Sequence, residues 1–161
     1  MEKKRALVTG ASSGIGREFA LQLAAQGYTV VGVARREDRL KELLAVLPGD
    51  GHNYLVADLG SQAGVQAVTD AMQGERVNLL INNAGLSVLE PFYESSLSTQ
   101  QNILTVNCES LMKLAHAFLR QSERGDALIN LSSIVAYLPT PAQPMYSASK
   151  AFIASFSECL W

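Results

Sequence analysis

The sequence predicts an α/β fold in which about five short parallel strands form one doubly wound sheet, in the order 3-2-1-4-5, with helices on both faces. Three observations point there. Short apolar runs rich in Val, Leu and Ile alternate with longer segments of helical period. No repeat or low-complexity tract breaks the alternation. A glycine-rich turn joins the first apolar run to the first helical segment. The strand candidates are residues 5–9, 29–34, 53–57, 77–82 and 127–131, and such runs suit strands buried on both faces. Between them, Ile15, Phe19 and Leu23 recur four residues apart. Leu40, Leu43, Leu44 and Leu47, then Val65, Val68 and Met72, form two further helical stripes. A long fourth helix is expected over 98–120, with Ile103, Val106, Leu111, Leu114 and Phe118 as its apolar side and Gly125 as the break before the fifth strand. A fifth helix starts near Tyr146. With right-handed crossovers, such a sheet binds ligands beyond the carboxyl ends of its strands.

Composition narrows the partners. A chain of 161 residues, 48% hydrophobic and 17% charged, has material for one core, so a single domain over 1–161 is expected. A net charge of -2 gives no long-range attraction to nucleic acid or an anionic membrane. Cys108 and Cys159 show no metal-ligand spacing, and neither they nor His52 and His116 form a metal or Ser-His-Asp pattern; a reducing cytoplasm fits two unpaired thiols. The apolar stretch 6–8 after the charged N-terminus is too short for a signal-peptide core or membrane span.

The first strand runs into Thr9-Gly10-Ala11-Ser12-Ser13-Gly14-Ile15-Gly16. Gly10 suits a tight turn, Gly14 close approach to a pyrophosphate, and Gly16 close helix packing, while the helix N-terminus offers free N–H groups. Ser12, Ser13 and Ile15 belong to the same Rossmann-type nucleotide turn. There is no Gly-Lys-Ser/Thr ending, which disfavours a P-loop hydrolase. At the end of the second strand, Arg35 and Arg36 stand where an acid would hold two ribose hydroxyls. A guanidinium meets a 2'-phosphate with paired charge-assisted hydrogen bonds, which favours NADP(H) over NAD(H). The alternative is a solvated helix start, since Glu37, Asp38 and Arg39 follow.

Later segments add Asp58-Leu59 after the third strand, Asn82-Asn83-Ala84-Gly85 after the fourth, Ser132-Ser133 after the fifth, and Tyr146-Ser-Ala-Ser-Lys150 at the start of the fifth helix. Together they resemble the short-chain dehydrogenase/reductase family over essentially the whole chain. Tyr146 and Lys150, four residues apart, share one helix face, where an ammonium favours the ionised form of a phenol. The resemblance implies that Tyr146 is the acid/base of carbonyl–alcohol interconversion, that Lys150 also holds the nicotinamide ribose, that Ser133 rather than Ser132 orients the substrate oxygen, and that Asn107 supports a proton relay. It implies that Asp58 and Leu59 meet the adenine, that Asn83 stabilises the sheet, and that Ala84 and Gly85 line the cofactor. Among the residues themselves, alternatives stay open: Tyr146 and Lys150 as a surface pair, Asn107 bonded to nearby backbone, Asp58 as a helix cap. The family continues to a sixth strand, a substrate loop and a seventh strand. A chain stopping at Trp161 is therefore expected to be shortened at its C-terminal end and to lack the last strands. The helix with Asn107 and the final helix, whose apolar run 152–161 is uncovered, often form a family interface, which implies a homodimer or homotetramer. Leu86, Val88, Leu89, Pro91 and Phe92, with Val135, Leu138 and the segment 139–144, suggest a partly apolar pocket mouth for a small-molecule carbonyl or alcohol. Two functions follow from these residues: an NADP(H)-dependent oxidoreductase, or a noncatalytic dinucleotide-binding module.

Overall fold

A computed structural model describes residues 3–160, so Trp161 lies outside the described residues. Five parallel strands, β1 (Arg5–Thr9), β2 (Thr29–Ala34), β3 (Asn53–Val56), β4 (Leu79–Asn82) and β5 (Ala127–Asn130), form one sheet in the order β3-β2-β1-β4-β5. Connections pass through α1 (Gly14–Ala25), α2 (Glu37–Leu44), α3 (Gln62–Gly74), then α4 (Leu97–Leu104), a π-helical turn (Thr105–Ser110) and α5 (Leu111–Leu119). A 3-10 turn (Ile134–Ala136) and α6 (Pro144–Glu158) follow β5.

Alternation along the strands divides the core into two layers. Ala6, Val8, Val30, Leu79 and Ile81 pack with Ala20 and Leu23 of α1 and Leu40 and Leu43 of α2. Leu7, Val31, Val33 and Leu80 pack on the opposite face with Val65, Val68 and Met72 of α3 and Leu114 and Phe118 of α5. Each such large side chain removed from water contributes about 1.5–3 kcal/mol. β1, central in the sheet, pairs with β2 and with β4, so the chain reverses its direction of winding between β3 and β4. That reversal opens a crevice above the ends of β1 and β4.

Several expectations are corrected. β3 and β5 are not buried on both faces: each lies at an edge of the described sheet, β3 exposing Asn53 and Val56 at its ends and β5 exposing the alternate residues Ala127 and Ile129. β3 ends at Val56, β4 begins at Leu79, and β5 ends at Asn130, although Val77 is buried ahead of its strand and the Leu131 N–H still donates to the Asn82 carbonyl. The helix over 98–120 is not continuous, because the π turn inserts an extra residue around Asn107. Ile15 does not join the core stripe of α1; it is 65% exposed at the rim of the glycine turn. The last helix starts at Pro144, whose missing N–H and fixed φ suit a first helical position. Among the described residues, no helix is long and apolar enough to cross a membrane.

Candidate active site

The glycine turn is held from β4. Thr9, buried at the end of β1, donates its hydroxyl proton to the Ile81 carbonyl (3.3 Å). The same Oγ1 accepts from the N–H groups of Asn83 and Ala84, both at 3.0 Å. Asn83 returns the contact, with Nδ2 donating to the Thr9 carbonyl at 2.8 Å. The turn therefore rests against the end of a strand more than seventy residues away in sequence, with Thr9 and Asn83 separated by 74 positions. A Cβ on Gly16 would stand 2.5 Å from the Gly10 carbonyl oxygen, so the turn closes onto α1 only with hydrogen there. Gly14 is the reverse case: its φ of +56° asks for glycine, while the space beyond it is open within 4 Å. Ser13 precedes α1 in extended conformation and does not cap it with its side chain, which leaves the first-turn N–H groups for an anion.

Above the strand ends lies a cleft of about 310 Å³. It gathers Gly10, Ser12, Ser13, Arg35, Arg36, Asp58, Leu59, Asn83, Ala84 and Gly85, all nominated by the sequence, and adds Leu86 and Val106. Gly14, Ile15 and Gly16 belong to the adjoining turn and helix start. Arg36 Nη2 donates to Ser12 Oγ and Ser13 Oγ, both at 3.1 Å, which ties the end of β2 to the glycine turn. Arg35 lines the cleft, exposed and, among the described residues, without a hydrogen bond or ion pair. Asp58 does not cap α3. Its Oδ1 accepts from the Gly60 N–H at 3.0 Å, whereas Ser61 Oγ accepts from the Gly64 N–H at 3.0 Å as the cap. The turn, its N–H groups and two guanidiniums fit a dinucleotide carrying a 2'-phosphate.

Lys150 approaches the cleft at Gly85, with Tyr146 one turn earlier on α6 and Ser133 just ahead of the 3-10 turn that packs on α6. Lys150 is 5% exposed; Nζ donates to the Leu131 carbonyl at 2.7 Å and lies 5.6 Å from the centroid of the Tyr146 ring. The pair is thus half-buried to buried, not a surface pair. Burial pushes the Lys150 ammonium below the ordinary lysine range, with a small opposing influence from Cys108. The two serines differ in engagement. Ser132 Oγ donates to the Lys150 carbonyl at 2.8 Å, while Ser133 Oγ accepts from the Val135 N–H at 3.4 Å and keeps its own proton for another acceptor. A Cβ on Gly85 would sit 3.7 Å from Lys150 Nζ and 3.4 Å from Asn107 Oδ1, so the cleft and the lysine meet at this glycine.

Asn107, in the π turn, is 1% exposed and engages backbone on both sides of its amide. Oδ1 accepts from the Leu86 N–H at 2.7 Å, and Nδ2 donates to the Leu86 carbonyl and to Ser149 Oγ, both at 2.9 Å. Sequence reasoning missed Thr9, Ser149 and Gln143 as positioning residues. Thr9 carried the readable signal of a hydroxyl closing the apolar run Ala6-Leu7-Val8. Gln143 Nε2 donates to Ser87 Oγ at 2.7 Å, and the Glu90 N–H donates to the Ala142 carbonyl at 3.2 Å, a link between loops that no local pattern announces.

The strand order, its crossover point and the glycine turn define a Rossmann-type α/β domain. More narrowly, the chain belongs to the short chain dehydrogenase family, whose model matches residues 4–161. A very-long-chain 3-oxoacyl-CoA reductase of Pyricularia oryzae is 35% identical over 96% of this chain and 50% of its own length. A short-chain dehydrogenase of Sphingobium yanoikuyae, solved in complex with NADPH, superposes with a TM-score of 0.91 at 34% identity, covering 98% of this chain and 64% of that one. The closed form of a serine dehydrogenase complexed with NADP+ gives a TM-score of 0.86 at 30% identity, over 97% of this chain and 64% of its own. The chain thus spans between half and just under two thirds of the length of these relatives.

Proposed function

We propose that this chain forms the cofactor-binding and catalytic part of an NADP(H)-dependent oxidoreductase that interconverts a carbonyl and a secondary alcohol. The observation that carries the reading is the meeting of the cleft with buried Lys150 at Gly85, beside Tyr146. Relatives solved with NADPH and NADP+ support the choice of nucleotide. NADPH held in this cleft would supply the hydride for the carbonyl carbon. The Tyr146 hydroxyl donates its proton to the carbonyl oxygen, and in the reverse direction the phenolate takes a proton from the alcohol. Ser133 donates a hydrogen bond to the same oxygen. The Lys150 ammonium stabilises the phenolate and reaches for the nicotinamide ribose, while Asn107 positions Leu86 and Ser149 around it as the start of a proton relay. Arg35 and Arg36 hold the 2'-phosphate, Ser12 to Gly16 the pyrophosphate, and Asp58 with Leu59 the adenine.

The domain is one unit, and it associates with a second copy through the face of α4, the π turn, the start of α5 and α6, where Leu104, Met112 and Phe152 line an exposed apolar groove. The free thiols of Cys108 and Cys159 are compatible with a reducing cytoplasm.

Calorimetric titration with NADPH and NADH tests the core of this reading. NADPH is expected to bind the tighter. Arg35→Ala should weaken NADPH by about tenfold or more, the weight of a charge-assisted hydrogen bond, and leave NADH unchanged, whereas Arg36→Ala, which also releases Ser12 and Ser13 of the glycine turn, should weaken both nucleotides. Equal affinities insensitive to both substitutions would remove the NADP preference; binding of neither nucleotide would remove the cofactor site. Tight binding without reduction of any carbonyl would leave a noncatalytic dinucleotide-binding module.

A further inference from the structure

Three consecutive residues at the end of β5 each hold α6. Asn130 Nδ2 donates to Ser157 Oγ at 3.0 Å, the Leu131 carbonyl accepts from Lys150 Nζ at 2.7 Å, and Ser132 Oγ donates to the Lys150 carbonyl at 2.8 Å. Lys150 and Ser157 stand seven residues apart, so they share one face of the helix two turns apart, and Tyr146 lies on that face one turn before Lys150. The seam therefore runs along the side of α6 that carries Tyr146.

Lys150 is gripped at both ends by adjacent residues of this seam. Ser132 holds its main chain through the carbonyl, and its ammonium rests on the carbonyl of Leu131. The lysine is 5% exposed, so neither contact can be traded for water without opening the seam. Ser132 gives its proton to the helix, whereas Ser133, next in the chain, accepts from the Val135 N–H and keeps its own. With Ser132 fixed on α6, Ser133 cannot slide along the helix, and the offset between the Ser133 hydroxyl and the turn from Tyr146 to Lys150 is set by the last stitch of the seam.

Resting on the oxidoreductase reading above, we infer that Ser132 is a positioning residue: its hydroxyl places the Lys150 ammonium and sets the register of Ser133 against Tyr146, without touching substrate or nucleotide. Side chains that carry chemistry keep a productive geometry only when the hydrogen bonds behind them lock it.

The test compares the full chain with Ser132→Ala, which deletes the hydroxyl, and Ser132→Thr, which keeps it. A buried, hydrogen-bonded ammonium exchanges its protons slowly enough to give a proton–nitrogen correlation by NMR at mildly acidic pH, and Lys150→Met identifies that resonance. In parallel each protein is titrated with NADPH and with 2',5'-ADP, which carries the 2'-phosphate but no nicotinamide ribose for Lys150 to reach. Ser132→Ala is expected to broaden or abolish the Lys150 ammonium signal and to weaken NADPH by about three- to tenfold, the weight of one hydrogen bond, while 2',5'-ADP binds as before. Ser132→Thr should restore both. An unchanged ammonium signal in Ser132→Ala overturns the inference. So does an equal loss of affinity for NADPH and 2',5'-ADP, the mark of a general loosening of the fold. If the native chain binds neither nucleotide, the oxidoreductase reading fails, and the ammonium signal by itself still decides whether Ser132 places Lys150.

Discussion

Lys150 stands in the interior with the Leu131 carbonyl as the one hydrogen-bond partner of its ammonium among the described residues, and this has a thermodynamic signature. Burial depresses its titration in the folded chain, whereas the unfolded chain titrates near the ordinary lysine value of about 10.4. Between those two values the unfolded state holds the extra proton, so folding stability contributed by this group rises with pH across that window. The stability of the native chain relative to Lys150→Met is accordingly expected to increase from neutral to alkaline pH. Urea unfolding of both proteins at pH 7.5 and 9.5 measures it, and a constant difference would contradict the direction. Ser133, Tyr146 and Lys150 were legible as a group because their spacing is local and their chemistry specific. Thr9 and Ser149 were not, because their partners, Asn83 and Asn107, are 74 and 42 positions away and only the topology selects them. The family resemblance preferred Ser133 to Ser132, while a physical difference between them, a Ser132 hydroxyl already spent on the Lys150 carbonyl, emerges only from the folded helix.

At the level of elements, the π turn is what presents Asn107 to the backbone of Leu86. Asn107→Ala leaves the Leu86 N–H and carbonyl without their partners, which costs about 1–3 kcal/mol for a buried unsatisfied group. The expected outcome is a chemical-denaturation midpoint lowered accordingly, with faster amide exchange at Leu86 than elsewhere in the cleft. Unchanged exchange at Leu86 would show that the loop is held by other contacts. The sequence contained a trace of this turn: the apolar stripe steps from Val106 to Leu111, five residues rather than three or four, and the two intervening buried positions are the polar Asn107 and Ser110. A 3.6-residue period absorbs one such step without complaint, which is why a continuous helix was expected. Strand existence was legible from apolar runs, but edge exposure was not. Burial of β3 and β5 depends on their place in the sheet, and both have only one strand neighbour here.

For the molecule as a whole, the apolar groove between α4, the π turn, the start of α5 and α6 is expected to make the chain self-associate. Sedimentation at micromolar concentration should show a dimer or larger species, and Met112→Asp, at a position 42% exposed, should shift it towards monomer with little effect on the fold. A monomer at every concentration would contradict the shared face. The strand order was legible because a glycine turn at the first strand implies a crevice there, and right-handed crossovers then leave few arrangements. The tie between Thr9 and Asn83 also bears on how the domain comes into being. During synthesis β1, β2 and β3 leave the ribosome well before β4, and they can pair with one another while the chain is still growing. The glycine turn, made among the first residues, can be tied early to the end of β2 through Arg36, but it lacks its brace from β4 until Asn83 emerges. Nucleotide recognition is therefore a late property of the nascent chain, and free cofactor cannot steady a domain whose translation has stalled before its fourth strand.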